Sequence, residues 1–151
     1  MASEEIYISL ARQENCLELA ELSRVAIEYG LRWRWKPSRI LGLIRHKDSS
    51  VIVARDEENE FLGFAAMEFL ENHAHLVLLA TKARFRRQGI GFSLLDWLEQ
   101  SALVAGIDHI TLEVRRENNS AVQFYERSGD TIEKLLTNYY DGKEDAYRMR
   151  H

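Results

Sequence analysis

The stretch "FRRQGIGFSLLDWLE", Phe85 to Glu99, sets two arginines and two glycines directly ahead of an apolar-striped run. The run reads as a helix, and the first turn of a helix carries unpaired N–H groups and partial positive charge. Two readings are open. Gly89 and Gly91 could serve only a tight strand-to-helix turn, with Arg84, Arg86 and Arg87 as a solvated charge run. Alternatively, the glycines let a phosphate approach the helix amides closely. The preceding "AHLVLLATK" is almost continuously apolar and reads as a strand covered on both faces. A loop between a buried strand and a helix N-terminus favours the anion.

The common phosphate loops do not fit. A dinucleotide fingerprint needs a third glycine where this chain has Leu94, and a P-loop needs Gly-Lys-Ser/Thr. What remains is R-x-x-G-x-G, here Arg86-Arg87-Gln88-Gly89-Ile90-Gly91. It resembles the pyrophosphate signature of the GNAT superfamily of acyl-CoA-dependent N-acyltransferases. A second stretch, "LEVRRENNSAVQFYERSG" from Leu112 to Gly129, resembles the ribosomal-protein-alanine N-acetyltransferases of that superfamily, as does "NYYDGKEDAYRM" near the C-terminus. The resemblance runs from about Ala74 to Met149. The N-terminal half matches only in its order of elements.

That order comes from periodicity and turn chemistry. "EIYISLAR" alternates like a strand. A helix follows, with Leu17, Ala20, Val25 and Tyr29 as its apolar stripe and Gly30 as its stop. Pro37 opens a short second helix carrying Ile40, Leu41 and Ile44. "SVIVARD" and "FLGFAAMEFL" form a hairpin around "EENE", and "AHLVLLATK" is the next strand. The glycine-loop helix, the strand "IDHITLEVR", the helix "NNSAVQFYERSG" and a closing hairpin complete β-α-α-β-β-β-α-β-α-β-β. The crossover through the glycine-loop helix makes its flanking strands parallel. The expectation is an α/β fold in one domain over residues 1–151. The resemblance refines it to the GNAT fold, a mixed, V-splayed sheet flanked by helices on both faces.

The resemblance also implies roles. Amides around Gln88, Gly89, Ile90, Gly91 and Phe92, with Arg86 and Arg87, would hold the pyrophosphate of acetyl-CoA. Backbone groups of Leu79, Ala80 and Thr81 would pair with the pantetheine arm like an added strand, and an N–H near Leu79 would meet the oxyanion. Asn118 would cap its helix and touch the same arm. Tyr125 matches the family's proton donor to the leaving thiolate; the alternative is a core aromatic. Glu113 matches the base position, and a carboxylate buried on a strand needs a partner or a task. Burial is expected to raise its pKa toward the range of a general base; the alternative is an ion pair. Two positions depart from the pattern. Thr81-Lys82-Ala83 replaces the usual valine-x-proline at the strand exit, and Asp130 replaces a phenylalanine. The first is expected to loosen the exit, the second to loosen the last hairpin without touching the chemistry.

Other residues invite weaker readings. Trp33 and Trp35 in "RWRWKP" could line an acceptor pocket, joined by Tyr140, or simply pack. His73 and His75 share a strand face, but no third ligand is spaced nearby, so no metal is expected. His75 is instead a candidate relay for the substrate proton. Cys16, the single cysteine, reads as a buried thiol. One cysteine, no membrane-length apolar run and an acidic start point to a cytoplasmic chain. A net charge of −4 speaks against nucleic acid and suits an amine-bearing substrate. The chain is therefore expected, as a monomer or homodimer, to move an acetyl group from acetyl-CoA to a primary amine, on a protein N-terminus or a small molecule. The alternative is a non-catalytic acyl-CoA-binding or partner-binding module on the same fold.

Overall fold

The computed structural model describes residues 5–86 and 88–151. Seven strands form one sheet in the order β1-β2-β3-β4-β5-β7-β6. They are β1 (Tyr7–Leu10), β2 (Ser49–Arg55), β3 (Phe61–Phe69), β4 (Ala74–Thr81), β5 (Ile110–Arg115), β6 (Thr131–Tyr140) and β7 (Glu144–Arg150). Four helices, α1 (Cys16–Ala26), α2 (Pro37–Arg45), α3 (Ile90–Val104) and α4 (Asn119–Arg127), complete the expected order. Every strand pair is antiparallel except β4–β5, as the crossover through α3 requires. That parallel ladder holds only at Ala74↔Ile110 and His75↔Thr111. Beyond His75 the strands part, and the parting makes the cleft.

Two apolar clusters cover the two faces of the sheet. Leu94, Leu95 and Leu98 of α3, with Val122 and Tyr125 of α4, pack on one face. Cys16, Leu19, Ala20 and Leu22 of α1, with Ile40 and Leu43 of α2, pack on the other. A bulge in β4 divides that strand between them. Pairing passes from Ala66↔Leu78 to Met67↔Leu76, so Val77 has no partner across the ladder. The extra residue inverts the side-chain alternation. Ala74 and Leu76 therefore join the α3 cluster, whereas Leu78 and Ala80 join the α1–α2 cluster. The apolar run in β4 has this cause: each half is buried on a different face. Val77 and Leu79 between them are only half-buried, because the cleft opens beside them.

Three local expectations change. In α1 the buried face is Cys16, Leu19, Ala20, Leu22 and Ser23, while Leu17, Val25 and Tyr29 are exposed. The face includes a polar residue because the Ser23 hydroxyl donates to Glu28 Oε2 at 2.8 Å. The exit of β4 is tied without a proline: Lys82 N–H bonds Leu62 C=O (2.9 Å) and Phe85 N–H bonds Lys82 C=O (3.0 Å). Gly63 permits this closeness, since a Cβ there would sit 2.5 Å from the Ala80 carbonyl oxygen. Finally, Asp130 is buried and bonded to His151 Nδ1 at 2.8 Å, so a polar tie replaces the missing apolar anchor.

Candidate active site

The glycine loop ends as the sequence suggests. Gly89 is the N-cap of α3 in the left-handed region (φ 81°), which suits glycine. The first α-helical bond runs from Ser93 N–H to Gly89 C=O at 3.0 Å. The amides of Ile90, Gly91 and Phe92 therefore precede the helical ladder. Among the described residues no side chain caps them, and no acidic residue lies in the first turn. A Cβ placed at Gly89 would meet no described atom within 4 Å. Ile90 anchors the turn in the core, and Gly91 lies against the Phe124 ring, 3.3 Å from a hypothetical Cβ. Phe92 meets the same ring edge-on at 5.2 Å. The pair of contacts fixes the α3 amides beside α4. Arg86 and Gln88 are exposed here; Arg87 lies outside the described residues.

A cleft of about 400 Å³ opens where β4 leaves β5. Its lining includes Leu79, Glu113, Asn118, Tyr125, Trp35 and Tyr140. An adjoining opening of about 580 Å³ shares Trp35, Glu113 and Tyr140 and adds Glu68 and His75. Asn118 accepts from Ala121 N–H at 3.2 Å, capping α4 as expected. Ala80 faces the α1–α2 core and Thr81 sits opposite Gly63, so neither side chain turns toward the cleft. Trp35 lies under the Arg39 guanidinium at 3.8 Å, at the mouth. Trp33 does not reach the cleft. It packs against the α1–α2 cluster with Arg24 over its ring at 5.3 Å; two residues apart, the two indoles would share a face of an extended strand, and the irregular path of the loop separates them.

Glu113 sits on β5 with its side chain 12% exposed, and both carboxylate oxygens have partners. Oε1 lies 3.1 Å from His75 Nε2 and accepts from the Tyr139 hydroxyl at 3.3 Å; Oε2 accepts from Arg148 Nε at 3.1 Å. His75 Nδ1 lies 2.7 Å from Thr111 Oγ1. The ring is therefore held between β5 and the carboxylate, which fits a relay. Burial pushes the Glu113 pKa up, but the hydrogen bonds and charges of His75 and Arg148 outweigh it and hold it below the ordinary value. The expectation of a raised pKa is reversed, because His75 and Arg148 converge on a group that burial alone would push up. Tyr125 goes the other way. It is buried, and burial together with the Asp130 charge keeps its phenol protonated far above neutrality.

The acceptor side also uses residues that the sequence does not single out. Glu28 is buried and takes three donors: the Ser23 hydroxyl at 2.8 Å, Arg34 N–H at 2.7 Å and Trp35 N–H at 3.2 Å. It shapes the loop from α1 to α2. Arg24 and Arg32, four residues either side, suggest a solvated helical ion pair, but α1 stops at Ala26. Arg115 grips Glu144 through two 2.8 Å bonds and donates to the Ile27 and Tyr29 carbonyls at 3.3 and 2.7 Å. Asp141 accepts from Arg32 N–H and Arg34 Nη2 at 2.7 and 2.8 Å. Together these bonds strap the loop to the β6–β7 hairpin.

The arrangement joins an anion-ready helix end to a cleft holding a buried phenol and an ionised carboxylate. The profile of the Acetyltransferase (GNAT) family matches residues 8–130. The chain belongs to this family. Over 78 residues it is 42% identical to an uncharacterized N-acetyltransferase of Methanocaldococcus jannaschii, covering 51% of this chain and 50% of that protein. Over 96 residues it is 32% identical to the [ribosomal protein bS18]-alanine N-acetyltransferase of Escherichia coli K12, covering 62% and 65%. The aligned part thus spans half to two-thirds of these relatives' lengths. Among solved structures, Ard1 from Thermoplasma volcanium superposes with a TM-score of 0.88 at 25% identity, over 97% of this chain and 96% of that one. The splayed, helix-flanked sheet is the GNAT fold. Among the described residues, no helix is long and apolar enough to cross a membrane.

Proposed function

We propose that the protein transfers the acetyl group of acetyl-CoA to a primary amine by direct attack, with the α-amine of a protein N-terminus as the favoured acceptor. One observation carries the reading: Tyr125 and Glu113 line a single cleft at the parting of β4 and β5. Acetyl-CoA would supply an activated thioester. The α3 amides of Ile90, Gly91 and Phe92 would hold its pyrophosphate, helped by Arg86 and Arg87. The room at Gly89 among the described atoms and the absence of an acid in the first turn suit that anion. The unpaired edge of β4 at Leu78 to Thr81 would take the pantetheine arm, and the backbone at the Val77 bulge to Leu79 would face the oxyanion.

Glu113 stays ionised, so it attracts the ammonium form of the acceptor and passes its proton outward through water or His75. Its depressed pKa makes it a positioning and relay group rather than a strong base. Tyr125, held protonated, donates to the departing thiolate. The named substrate of the E. coli relative favours an N-terminal acceptor. A small-molecule amine is the second reading, favoured by the wider opening beside Glu68, His75 and Glu113, where a cationic amine would find carboxylates. Thiol release from acetyl-CoA, measured with N-terminal peptides and with diamines, decides between them. Heat of coenzyme A binding without turnover on any amine would leave only a binding module.

A further inference from the structure

Behind the cleft, three residues from separate elements meet: Glu99 on α3, Asp130 between α4 and β6, and His151 after β7. Their ligating atoms all lie within 4.8 Å of one another. His151 Nδ1 is 2.8 Å from Asp130 Oδ1 and 3.4 Å from Glu99 Oε2. One ring nitrogen carries at most one hydrogen, and the geometry gives it to Asp130. Glu99 Oε2 is shut off from solvent and accepts no hydrogen bond. The Asp130 side chain is 2% exposed. Among the described residues, neither carboxylate pairs with a lysine or arginine.

The charges do not balance. With both carboxyls ionised, the cluster of partly buried Glu99, buried Asp130 and exposed His151 keeps a negative charge even when the ring is protonated, and such a charge is costly. We propose that Glu99, Asp130 and His151 bind a divalent transition-metal ion, zinc being the best match for one imidazole nitrogen and two carboxylate oxygens. Bonds of about 2.1 Å in a tetrahedral shell set ligand atoms about 3.4 Å apart, close to the spacing of this triad. A doubly charged ion beside neutral His151 cancels both carboxylates and gives Glu99 Oε2 its missing partner. One ligand of the site, Asp130, stands where the resemblance gives a phenylalanine. The sequence reading, which expects no metal, does not reveal it, since the three residues lie far apart along the chain.

The site also touches the chemistry. Asp130 N–H bonds the Tyr125 carbonyl at 2.9 Å, so an ion there braces the end of α4. The test needs no acetyl transfer. Chelator-treated protein is titrated with zinc chloride alone, followed by calorimetry and thermal melting, with magnesium chloride as the control. We expect one equivalent of zinc and a melting shift on the order of 5–10 °C at a hundredfold excess over Kd. Magnesium, which prefers oxygen ligands, gives little. Glu99→Gln and His151→Ala abolish the shift, and metal-free Glu99→Gln melts no lower than the parent, showing that it folds. No zinc-dependent shift in the parent overturns the site and leaves a proton shared among the three groups. An equal shift with magnesium, or one that survives both substitutions together, overturns it too. The latter would place the ion elsewhere, for example at His73 and His109, whose rings lie 5.7 Å apart.

Discussion

The two walls of the cleft are built by different means. On the α3–α4 side, each functional group is placed by its own neighbours in sequence: Gly89 opens the helix whose amides it exposes, and Asn118 caps the helix that carries Tyr125. On the α1–α2 side, Glu28 folds the loop locally, but the loop is tied in place from far along the chain. Arg115 holds the carbonyls of Ile27 and Tyr29, Asp141 holds Arg32 and Arg34, and Lys143 Nζ donates to Gly30 C=O at 3.2 Å. Local placement makes a rigid, portable unit. Long-range placement makes a wall that can vary while the chemistry behind it stays. Substitutions on the first wall should therefore act on rate or on acetyl-CoA, and those on the second on stability or on the acceptor.

Tyr125→Phe gives the largest expected effect. Removing the proton donor should lower kcat by roughly 10²–10³, with little change in the KM for acetyl-CoA. The phenol's bulk remains, so the fold should hold, as circular dichroism would confirm. A variant that keeps full turnover would remove Tyr125 from the chemistry and dissolve the distinction between the walls. Arg115→Ala comes next. It strands partly buried Glu144 and frees two loop carbonyls, and losing this bidentate pair with its carbonyl bonds costs about 2–3 kcal/mol. Urea unfolding measures it. A loss under about 1 kcal/mol would mean that the loop is held by packing rather than by the strap.

The same contrast explains what the sequence makes legible. The glycine loop, the Asn118 cap, the Tyr125 helix and the order of elements all depend on residues within a few turns of one another, so pattern and spacing suffice. The α1 stripe is misread because its inward face contains Ser23, whose partner Glu28 lies past the end of the helix. The Val77 bulge leaves no trace in an apolar run, since only pairing with Ala66 and Met67 reveals it. Trp33 and Trp35 are alike in sequence, yet only Trp35 reaches the mouth, a difference set by the path of the loop. Arg115 and Asp141 look like ordinary surface charges until the fold brings their partners to them.

Asp141→Ala tests the exposed end of the strap and should have a moderate effect. Without its carboxylate the loop loses two bonds, and the KM for the acceptor should rise a few-fold while that for acetyl-CoA stays put. A rise in both would mean that the loop also shapes the cofactor wall. Gly89→Ala is the mirror experiment. A residue with a Cβ resists the left-handed conformation, at a cost of roughly 1 kcal/mol. The KM for acetyl-CoA should rise about five-fold, with the acceptor KM unmoved.

For Glu113 the sign of the effect matters more than its size. The folded-state pKa lies below the ordinary carboxylate value because His75 and Arg148 favour the charged form against the pull of burial. The folded chain therefore holds this proton less readily than the unfolded chain. The resulting stability is fully present above the unfolded pKa of about 4.3, and is lost as pH falls through the folded value. Glu113→Gln should consequently be destabilised relative to the parent at pH 7, and the gap should narrow as pH falls below the unfolded value. In kinetics, the substitution should lower kcat/KM by about ten-fold at neutral pH. It should leave the midpoint of the acid limb where it was, because a group already ionised cannot set a limb near neutrality. If the limb moves, Glu113 titrates in the working range after all. The acceptor wall would then hold a true base, and its partners would be weaker in solution than their 3.1 Å contacts imply.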